Sequence, residues 1–330
     1  MENKTKAKLK RGEIALGHFV LEFATPGIGH MIANAGCDFA IFDMEHTSFS
    51  HEQMRQAILS AKSAGITPIV RASDTEYFLM SRPLDAGAEG IMVPRVETKE
   101  QTEKIVESIK YPPLGVRGSA FGIAHDNYKG GDIGIATRKA NEETLIIVQT
   151  ETAKSVENVN QILSVKGIDV AWIGQADMTV SLGIPGQYDH PKFLKALDTI
   201  INTCAKYNVA PGFIPITLQE TKMMIDKGIK CIAYTADVFL YSHFLKDGIS
   251  QIKEYIGEKP EKIGQKKEEY YDHSKKSPII CSLVGDYYTI SVLESQTIHA
   301  GSWGCGCGFF TDSLRCHFFG GSGKYPNHTH

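Results

Sequence analysis

Short runs of apolar residues alternate along the chain with segments in which apolar residues recur every three or four positions. The runs are continuous, which is typical of parallel strands that are buried on both faces. They occupy residues 14–20, 39–42, 67–70, 90–93, 145–148, 170–173, 210–214 and 231–234. Helical spacing covers residues 51–64, 99–109, 153–165, 191–207 and 218–227. The alternation predicts a series of strand–helix units.

Eight such units predict a closed parallel (β/α)8 barrel, or TIM barrel, whose usual length is ~250 residues. Ser50, Thr98 and Thr217 each precede a helical segment, where a side-chain oxygen can cap the first turn. A doubly wound open sheet is the alternative α/β fold, but no Gly-x-Gly-x-x-Gly motif follows the first strand. Residues 96–143 exceed the length that one helix needs, which predicts a functional loop there.

The chain changes character after residue 256, so we predict a barrel at residues 1–256 and a separate extension at residues 257–330. The extension begins with a charged linker and becomes rich in Gly, Ser, His, Cys and aromatic residues. Cys305, Cys307, Cys316 and His317 offer ligands that zinc prefers, but their spacing matches no zinc motif. A zinc module, a disordered segment and a product of gene read-through all remain open for this extension.

Composition and charge argue against several classes of protein. The 330 residues carry a formal net charge of −3, which gives no support for nucleic-acid binding. No apolar run approaches the ~18 residues that span a bilayer. Residues 1–11 are basic but lack the apolar segment of a secretory signal, so we expect a solvated first helix and a cytoplasmic protein. Cys37, Cys204 and Cys231 are expected to be reduced core thiols.

Barrel enzymes carry their reactive groups at the C-terminal ends of strands, and the best candidates for metal ligands here are two acidic residues at the ends of neighbouring strands. Glu151 follows the fifth apolar run and Asp177 follows the sixth. Two carboxylates on neighbouring strands, completed by water, suit a cation such as Mg²⁺ or Mn²⁺ and leave positions open for a substrate. The alternative for Asp177 is that it caps a helix beginning near Met178.

Three further side chains at strand ends are suited to binding or catalysis. Arg71 offers a planar guanidinium to a carboxylate or enolate oxygen, or it forms an ion pair with Asp43 or Glu45. Gln149 precedes the candidate metal ligand of the fifth strand by two residues and points to the same side, where it binds a ligand or is paired inside the barrel. His46 is a candidate general base, with a structural or solvated histidine as the alternative.

Several stretches in order resemble the HpcH/HpaI aldolase family. They are FDMEH at 42–46, VR at 70–71, LDAGAEGIMVPRV at 84–96, YPP at 111–113 with GVRG at 115–118, VQTE at 148–151 and IGQAD at 173–177. Each stretch is weak evidence alone, but their order and spacing are specific, and the resemblance covers roughly residues 5–256. It implies a metal-dependent (β/α)8 barrel that is often hexameric, with its last helix exchanged between subunits.

The resemblance assigns roles to residues at the strand ends. It implies that Glu151 and Asp177 bind a divalent metal such as Mg²⁺, Mn²⁺ or Co²⁺, and that Arg71 and Gln149 contact pyruvate. It also implies that Glu45 and Asp43 lie around the metal water and the arginine. The turn whose N–H groups receive the pyruvate carboxylate is matched by Gly174 and Ala176.

The same resemblance points to a proton carrier and to one departure from the family. His46 matches the acid/base histidine, and Asp85 matches its carboxylate partner. Gln175 stands where the family usually has proline, which could loosen the turn or change which ligand fits. Asp237 is plausible as a structural cap, and no catalytic role is assigned to it.

The implied reaction is metal-dependent aldol cleavage or condensation of 4-hydroxy-2-oxo acids, giving pyruvate and an aldehyde. A Schiff-base aldolase would need a lysine, which none of the strand ends considered above offers. The alternatives are a citrate-lyase-like enzyme acting on a CoA ester and a non-catalytic ligand-binding barrel. The expected partners are small 2-oxo acids, aldehydes and other copies of the chain, without nucleic acid or membrane.

Overall fold

The computed structural model describes residues 2–258, which form a closed barrel of eight parallel strands. Each strand pairs with the next along the chain, and the last pairs with the first. The strands are β1 (Ala15–Val20), β2 (Phe39–Asp43), β3 (Thr67–Arg71), β4 (Gly90–Val93), β5 (Leu145–Thr150), β6 (Val170–Ile173), β7 (Ala210–Phe213) and β8 (Cys231–Ala236). The predicted barrel is confirmed, and the open sheet is excluded.

One helix precedes the first strand, and the other helices follow strands and form the outer layer of the barrel. They are α1 (Lys4–Lys10), α2 (Ile28–Asn34), α3 (His51–Ser63), α4 (Tyr77–Asp85), α5 (Lys99–Ile109), α6 (Ile133–Glu143), α7 (Ala153–Leu163), α8 (Gln175–Ser181), α9 (Pro191–Tyr207), α10 (Leu218–Asp226) and α11 (Asp237–Tyr255). The predicted caps are present: the side chains of Ser50, Thr98 and Thr217 accept hydrogen bonds from backbone N–H groups in the first turns of α3, α5 and α10.

The continuous apolar runs arise because both faces of each strand are buried. Along β2, the side chains of Phe39 and Ile41 lie in the cluster inside the barrel. Those of Ala40 and Phe42 lie in the larger cluster between the strands and the helices. Alternate residues therefore pack in two separate layers, and the C-terminal ends of the strands are left to carry polar groups.

Helix α1 corrects one expectation, because it is not a solvated helix. Leu9 joins the cluster inside the barrel, and Lys6 is only 6% exposed. The Lys6 ammonium donates to Asp169 Oδ2 and to the carbonyl oxygen of Thr144, each at 2.8 Å. Both partners immediately precede strands, so α1 closes the N-terminal end of the barrel.

The long segment before β5 contains α5, a 3₁₀ turn at Ala124–Asp126 and α6. Helix α5 runs back from the C-terminal end of β4, so the loop that follows α5 lies toward the opposite end of the barrel from the strand ends. Cys37, Cys204 and Cys231 are free thiols. No helix among residues 2–258 has the length and apolar character needed to cross a bilayer. Apart from residues 257 and 258, the predicted C-terminal extension lies outside the described part of the chain.

Candidate active site

A buried ion pair joins the ends of β2 and β3. Asp43 and Arg71 are neighbours in the strand register, and Arg71 Nε and Nη2 donate to the two carboxylate oxygens of Asp43, each at 2.7 Å. Asp43 is fully buried and also accepts the backbone N–H groups of Glu45 and His46 at 2.9 and 3.2 Å. The ion pair that the sequence left as an alternative role for Arg71 is therefore present, and it fixes the plane of the guanidinium.

The remaining contacts of Arg71 hold it from other directions. Its Nη1 lies 3.3 Å from Glu45 Oε2, and its guanidinium carbon lies 5.1 Å from the ring centroid of Phe19. Phe19 in turn packs edge-to-face on Trp172, with 5.8 Å between ring centroids. Neither Phe19 nor Trp172 stands out in the sequence, because both have the signature of ordinary core residues. Phe19 therefore packs on the guanidinium, and Trp172 packs on Phe19.

Glu151 lies directly after β5 and is 1% exposed. Its Oε1 accepts the backbone N–H of Arg95 at 2.7 Å, and its Oε2 accepts the side-chain amide of Gln149. Arg95 has a φ of 56°, an uncommon conformation for a residue other than glycine, and sequence reasoning missed its part in the site. A Cβ at Gly174 would overlap Glu151 Oε2, so only glycine leaves room for the carboxylate.

The electrostatics of the site oppose a full negative charge on its acidic groups. Burial raises the pKa of Glu151 to about 7, and the neighbouring carboxylates of Glu45 and Asp177 act in the same direction. Burial also raises the pKa of Glu45, with Asp43 and Asp177 adding to the effect and Arg71 opposing it. Three acidic side chains from three strand ends therefore lie close enough to repel one another.

Asp177 is the third residue of α8, and the N-cap position belongs to Gly174 without a side-chain cap. The alternative that Asp177 caps this helix is therefore wrong. Its side chain is exposed, unlike that of Glu151. Ala176 is also exposed in the first turn of α8, while the N–H of Gly174 donates to the carbonyl oxygen of Thr150 at 3.3 Å. Gly174 therefore leaves room for the Glu151 carboxylate, while its own N–H group is already hydrogen-bonded.

The side chains present fit a hard divalent cation. Gln149 Oε1 is a buried acceptor without a hydrogen-bond partner, and Glu45 Oε2 makes an ion pair but no hydrogen bond. Uncompensated acceptors beside repelling carboxylates are best satisfied by positive charge. Within residues 2–258 no three His, Cys, Asp or Glu side chains are grouped to hold a metal. A cation held by Glu151 and Asp177 would therefore complete its shell with water or substrate oxygens.

The structure does not bring His46 and Asp85 together within one chain. His46 is largely exposed, and its Nε2 lies 3.6 Å from Glu45 Oε2. Asp85 is the last residue of α4, which runs back from the end of β3 toward the beginning of β4. Its Oδ1 accepts from Arg117 Nη2 at 2.7 Å. Asp85 therefore lies toward the opposite end of its own barrel from His46.

Two other residues singled out in the sequence have structural contacts around the site. Gln175 donates its side-chain amide to the carbonyl oxygen of Ile214 at 2.8 Å. Asp237 accepts three backbone N–H groups from the loop after β1, at distances of 2.8 to 3.1 Å. Asp237 thus caps that loop, which agrees with the structural role expected for it.

Comparisons with known proteins identify the relatives of this chain. The model of the HpcH/HpaI aldolase/citrate lyase family matches residues 19–243. A 2-keto-3-deoxy-L-rhamnonate aldolase of Escherichia coli O9:H4 (strain HS) is 28% identical over 253 residues, covering 77% of this chain and 94% of the relative. The crystal structure of an HpcH/HpaI aldolase from Desulfitobacterium hafniense DCB-2 has a TM-score of 0.74 and 30% identity, over 77% of this chain and 98% of that one. A citrate synthase, SbnG, has a TM-score of 0.69 and 26% identity, over 77% and 99%.

Proposed function

The chain belongs to the HpcH/HpaI aldolase/citrate lyase family, and from this premise we propose that it is a metal-dependent pyruvate aldolase. The substrates would be 4-hydroxy-2-oxo acids, which it cleaves to pyruvate and an aldehyde or forms from them. The observation that carries the proposal is the buried carboxyl of Glu151, whose pKa is raised to about 7 beside Asp177 and near the fixed guanidinium of Arg71. A buried acid that is unstable as an anion is suited to a cation that neutralises it.

Glu151 and Asp177 would hold Mg²⁺, Mn²⁺ or Co²⁺. When bound, the cation supplies Lewis acidity that favours negative charge on the keto oxygen of a 2-oxo acid. Arg71 contributes a second positive charge. Asp43 holds Nε and Nη2, and Nη1, which lies 3.3 Å from Glu45 Oε2, has two N–H groups, one of which can donate to the same oxygen. Gln149 would contact the ligand at the side of the pocket formed by β5, where its unpaired Oε1 can accept a hydrogen bond from a hydroxyl group or a water molecule.

The turn after β6 would receive the carboxylate of the substrate. Gly174 has no side chain to obstruct the approach, and the exposed first turn of α8 places Ala176 beside it. The N–H of Gly174 is already engaged by Thr150, so we assign the donor role to the N–H of Ala176. This turn would thus bind the carboxylate of pyruvate, and Arg71 would bind the keto oxygen from the opposite side of the barrel.

His46 is proposed to carry the proton. In cleavage, an imidazole nitrogen accepts the proton of the 4-hydroxyl, the C3–C4 electron pair moves toward the keto group, and the new C4=O bond completes the aldehyde. The protonated imidazole then returns this proton to C3 of the pyruvate enolate, which restores neutral His46. Imidazole is suited to this role because it can both accept and donate a proton in neutral solution. The large exposed fraction of His46 leaves it accessible to the aldehyde end of a substrate.

A pairing of His46 with Asp85 would need two copies of the chain, because the two residues lie toward opposite ends of one barrel. An oligomer also accounts for α11, whose only buried residue is Asp237. Its apolar side chains at Phe239, Tyr241, Phe244, Leu245, Ile249 and Ile252 are 45–59% exposed. Large apolar side chains exposed along one helix in this way are typical of an interface. We propose a homo-oligomer, a hexamer by resemblance to the family, in which α11 packs on another copy.

Mixed subunits test the pairing of His46 with Asp85. His46→Asn and Asp85→Asn should each lower aldol cleavage about 10²-fold or more, since general acid–base catalysis contributes that much. Co-expressing the two variants should restore about a quarter of wild-type activity, because random assembly leaves that share of shared sites intact. His46→Asn co-expressed with Arg71→Lys is the matched control and should stay inactive, since one chain supplies both residues. No restoration in the first mixture would show that the two side chains do not share a site.

The reaction itself is tested by a panel of 4-hydroxy-2-oxo acids, with pyruvate release as the readout. We expect cleavage of at least one member, loss of activity in excess chelator, and recovery when Mg²⁺, Mn²⁺ or Co²⁺ is added. Malyl-CoA and citramalyl-CoA in the same panel examine the citrate-lyase-like alternative. Full turnover in chelator would exclude the metal route, and cleavage confined to the CoA esters would replace the pyruvate aldolase assignment.

A further inference from the structure

Gln175 makes a contact that crosses between two neighbouring loops at the catalytic end of the barrel. It is the first residue of α8, and its Nε2 donates to the carbonyl oxygen of Ile214 at 2.8 Å. Ile214 directly follows β7, and its side chain packs against the cluster inside the barrel. The hydrogen bond therefore joins the turn after β6, which carries Asp177, to the loop after β7.

The loop after β7 is fixed independently on its other side. The N–H of Thr235 donates to the carbonyl oxygen of Pro215 at 2.9 Å, and the N–H of Ile216 donates to Glu220 Oε2 at 2.8 Å. Thr235 has a φ of 49°, which is uncommon for a β-branched residue, so the backbone there is held by its surroundings. The loop is thus a firm anchor, and Gln175 ties the turn after β6 to it.

The turn after β6 lacks a side-chain cap at its beginning, although Met178 and Thr179 are buried further along α8. Helix α8 spans seven residues, and its N-cap residue Gly174 has no side chain with which to cap the first turn. A short helix without a capped N-terminus frays readily. Asp177 lies in that first turn with an exposed side chain, so its position depends on how firmly the turn is held.

We propose that Gln175 is a positioning residue, whose amide tethers the turn carrying Asp177 to the loop after β7 so that both sides of the pocket keep a fixed separation. The inference rests on the proposed function insofar as Asp177 binds the metal. Gln175 touches neither the metal nor the substrate in this proposal. Its effect reaches the site through the backbone of the turn and through Ile214.

Two substitutions distinguish the effect of the Gln175 hydrogen bond from the effect of the backbone conformation of the turn. Gln175→Ala removes the amide, whereas Gln175→Pro removes it but restricts the backbone at the first helical position, which proline favours. Gln161→Ala, at an exposed glutamine of α7, is the matched control. In Gln175→Ala we expect faster amide hydrogen exchange in the peptide covering residues 174–181, whereas Gln175→Pro and the control should leave exchange there unchanged.

Mn²⁺ binding, measured by electron paramagnetic resonance, is the second readout. Gln175→Ala should weaken it about five-fold, as expected for the loss of one neutral hydrogen bond that supports a ligand. Gln175→Pro should bind Mn²⁺ within about two-fold of wild type, because the restricted backbone holds the first turn of α8 without the tether. The KM for pyruvate in condensation should rise in Gln175→Ala, with kcat changing less than KM.

Unchanged hydrogen exchange in Gln175→Ala would overturn the proposal, as would weaker Mn²⁺ binding without faster exchange. Equal weakening of Mn²⁺ binding in both variants would also overturn it, because proline would then fail to hold the turn. The unfolding temperature of each variant verifies that it is folded. If the wild-type protein has no aldolase activity, the proposed function is wrong. The hydrogen-exchange result then still tests whether Gln175 holds the turn.

Discussion

Replacing Arg71 with lysine is expected to lower kcat/KM for pyruvate-releasing cleavage about 10³-fold while the protein stays folded. Lysine keeps one positive charge, which can still lie against the buried carboxylate of Asp43. It cannot also present a second, rigidly placed donor to the keto oxygen, because its ammonium lacks the planar fork of arginine. Loss of a single preorganised donor to a developing oxyanion typically costs about 10²–10³ in rate.

Lysine gives a clearer result than alanine at this position. Asp43 is fully buried, so removing its cation altogether would leave an unpaired buried charge and cost about 3–5 kcal/mol of stability. Steady-state kinetics and thermal unfolding should be measured together, with Arg138→Lys on the exposed face of α6 as the control. If Arg71→Lys retained activity within ten-fold of wild type, Arg71 would be a structural partner of Asp43 and not an electrophile.

The barrel was predictable because local pattern and tertiary environment coincide along the strands. Residues such as Phe39 and Phe42 face opposite layers, yet both layers are apolar, so the run reads as continuous. The ends of the runs also marked where polar groups must appear. Asp43 and Arg71 could therefore be expected near each other once the two strands were taken as neighbours, and the structure pairs them directly.

Other features could not be predicted, because they depend on contacts between distant parts of the chain. Lys6 is buried through an ion pair with Asp169, 163 residues away, and no local pattern signals this. Arg95 contributes to the site through its backbone N–H, which its residue type does not reveal. Phe19 acts beside Arg71 although it has the sequence signature of a core residue.

Asp85 shows that a role carried over by resemblance can depend on a second copy of the chain. The motif around it is specific in sequence, but the residue ends a helix at the other end of the barrel from His46. Gln175 shows a different case. Its identity suggested a looser turn, whereas the structure gives it a hydrogen bond that a proline could not make.

Glu151→Gln is expected to abolish aldolase activity, by at least about 10³-fold, and to weaken Mn²⁺ binding strongly. The amide keeps the shape of the carboxyl but removes the charge that a divalent cation requires. In the wild type, a proton competes with the metal for this carboxyl. Because burial raises the pKa of Glu151 to about 7, apparent Mn²⁺ affinity should fall about ten-fold for each pH unit below that value. The variant should lose this dependence.

The same substitution should change how the stability of the metal-free protein depends on pH. In the unfolded chain the carboxyl titrates with the ordinary glutamate pKa of 4.5, but in the folded protein it keeps its proton up to about 7. Between these values the folded state binds more protons, so stability falls as pH rises, by about 3 kcal/mol in total at ~1.4 kcal/mol per pH unit. Denaturant titrations without metal should show this loss in wild type and a smaller one in Glu151→Gln.

Glu89→Gln provides the matched control for this pair of measurements. Burial raises the pKa of Glu89 as well, but the residue lies before β4, at the end of the barrel away from the strand ends that form the site. Its substitution should alter the pH dependence of stability without changing Mn²⁺ binding. Equal Mn²⁺ affinity in Glu151→Gln and wild type would remove this carboxyl from the metal site. If metal-free Glu151→Gln is more stable than the metal-free wild type at pH 8, the buried carboxyl of Glu151 lowers the stability of the protein when no cation is bound.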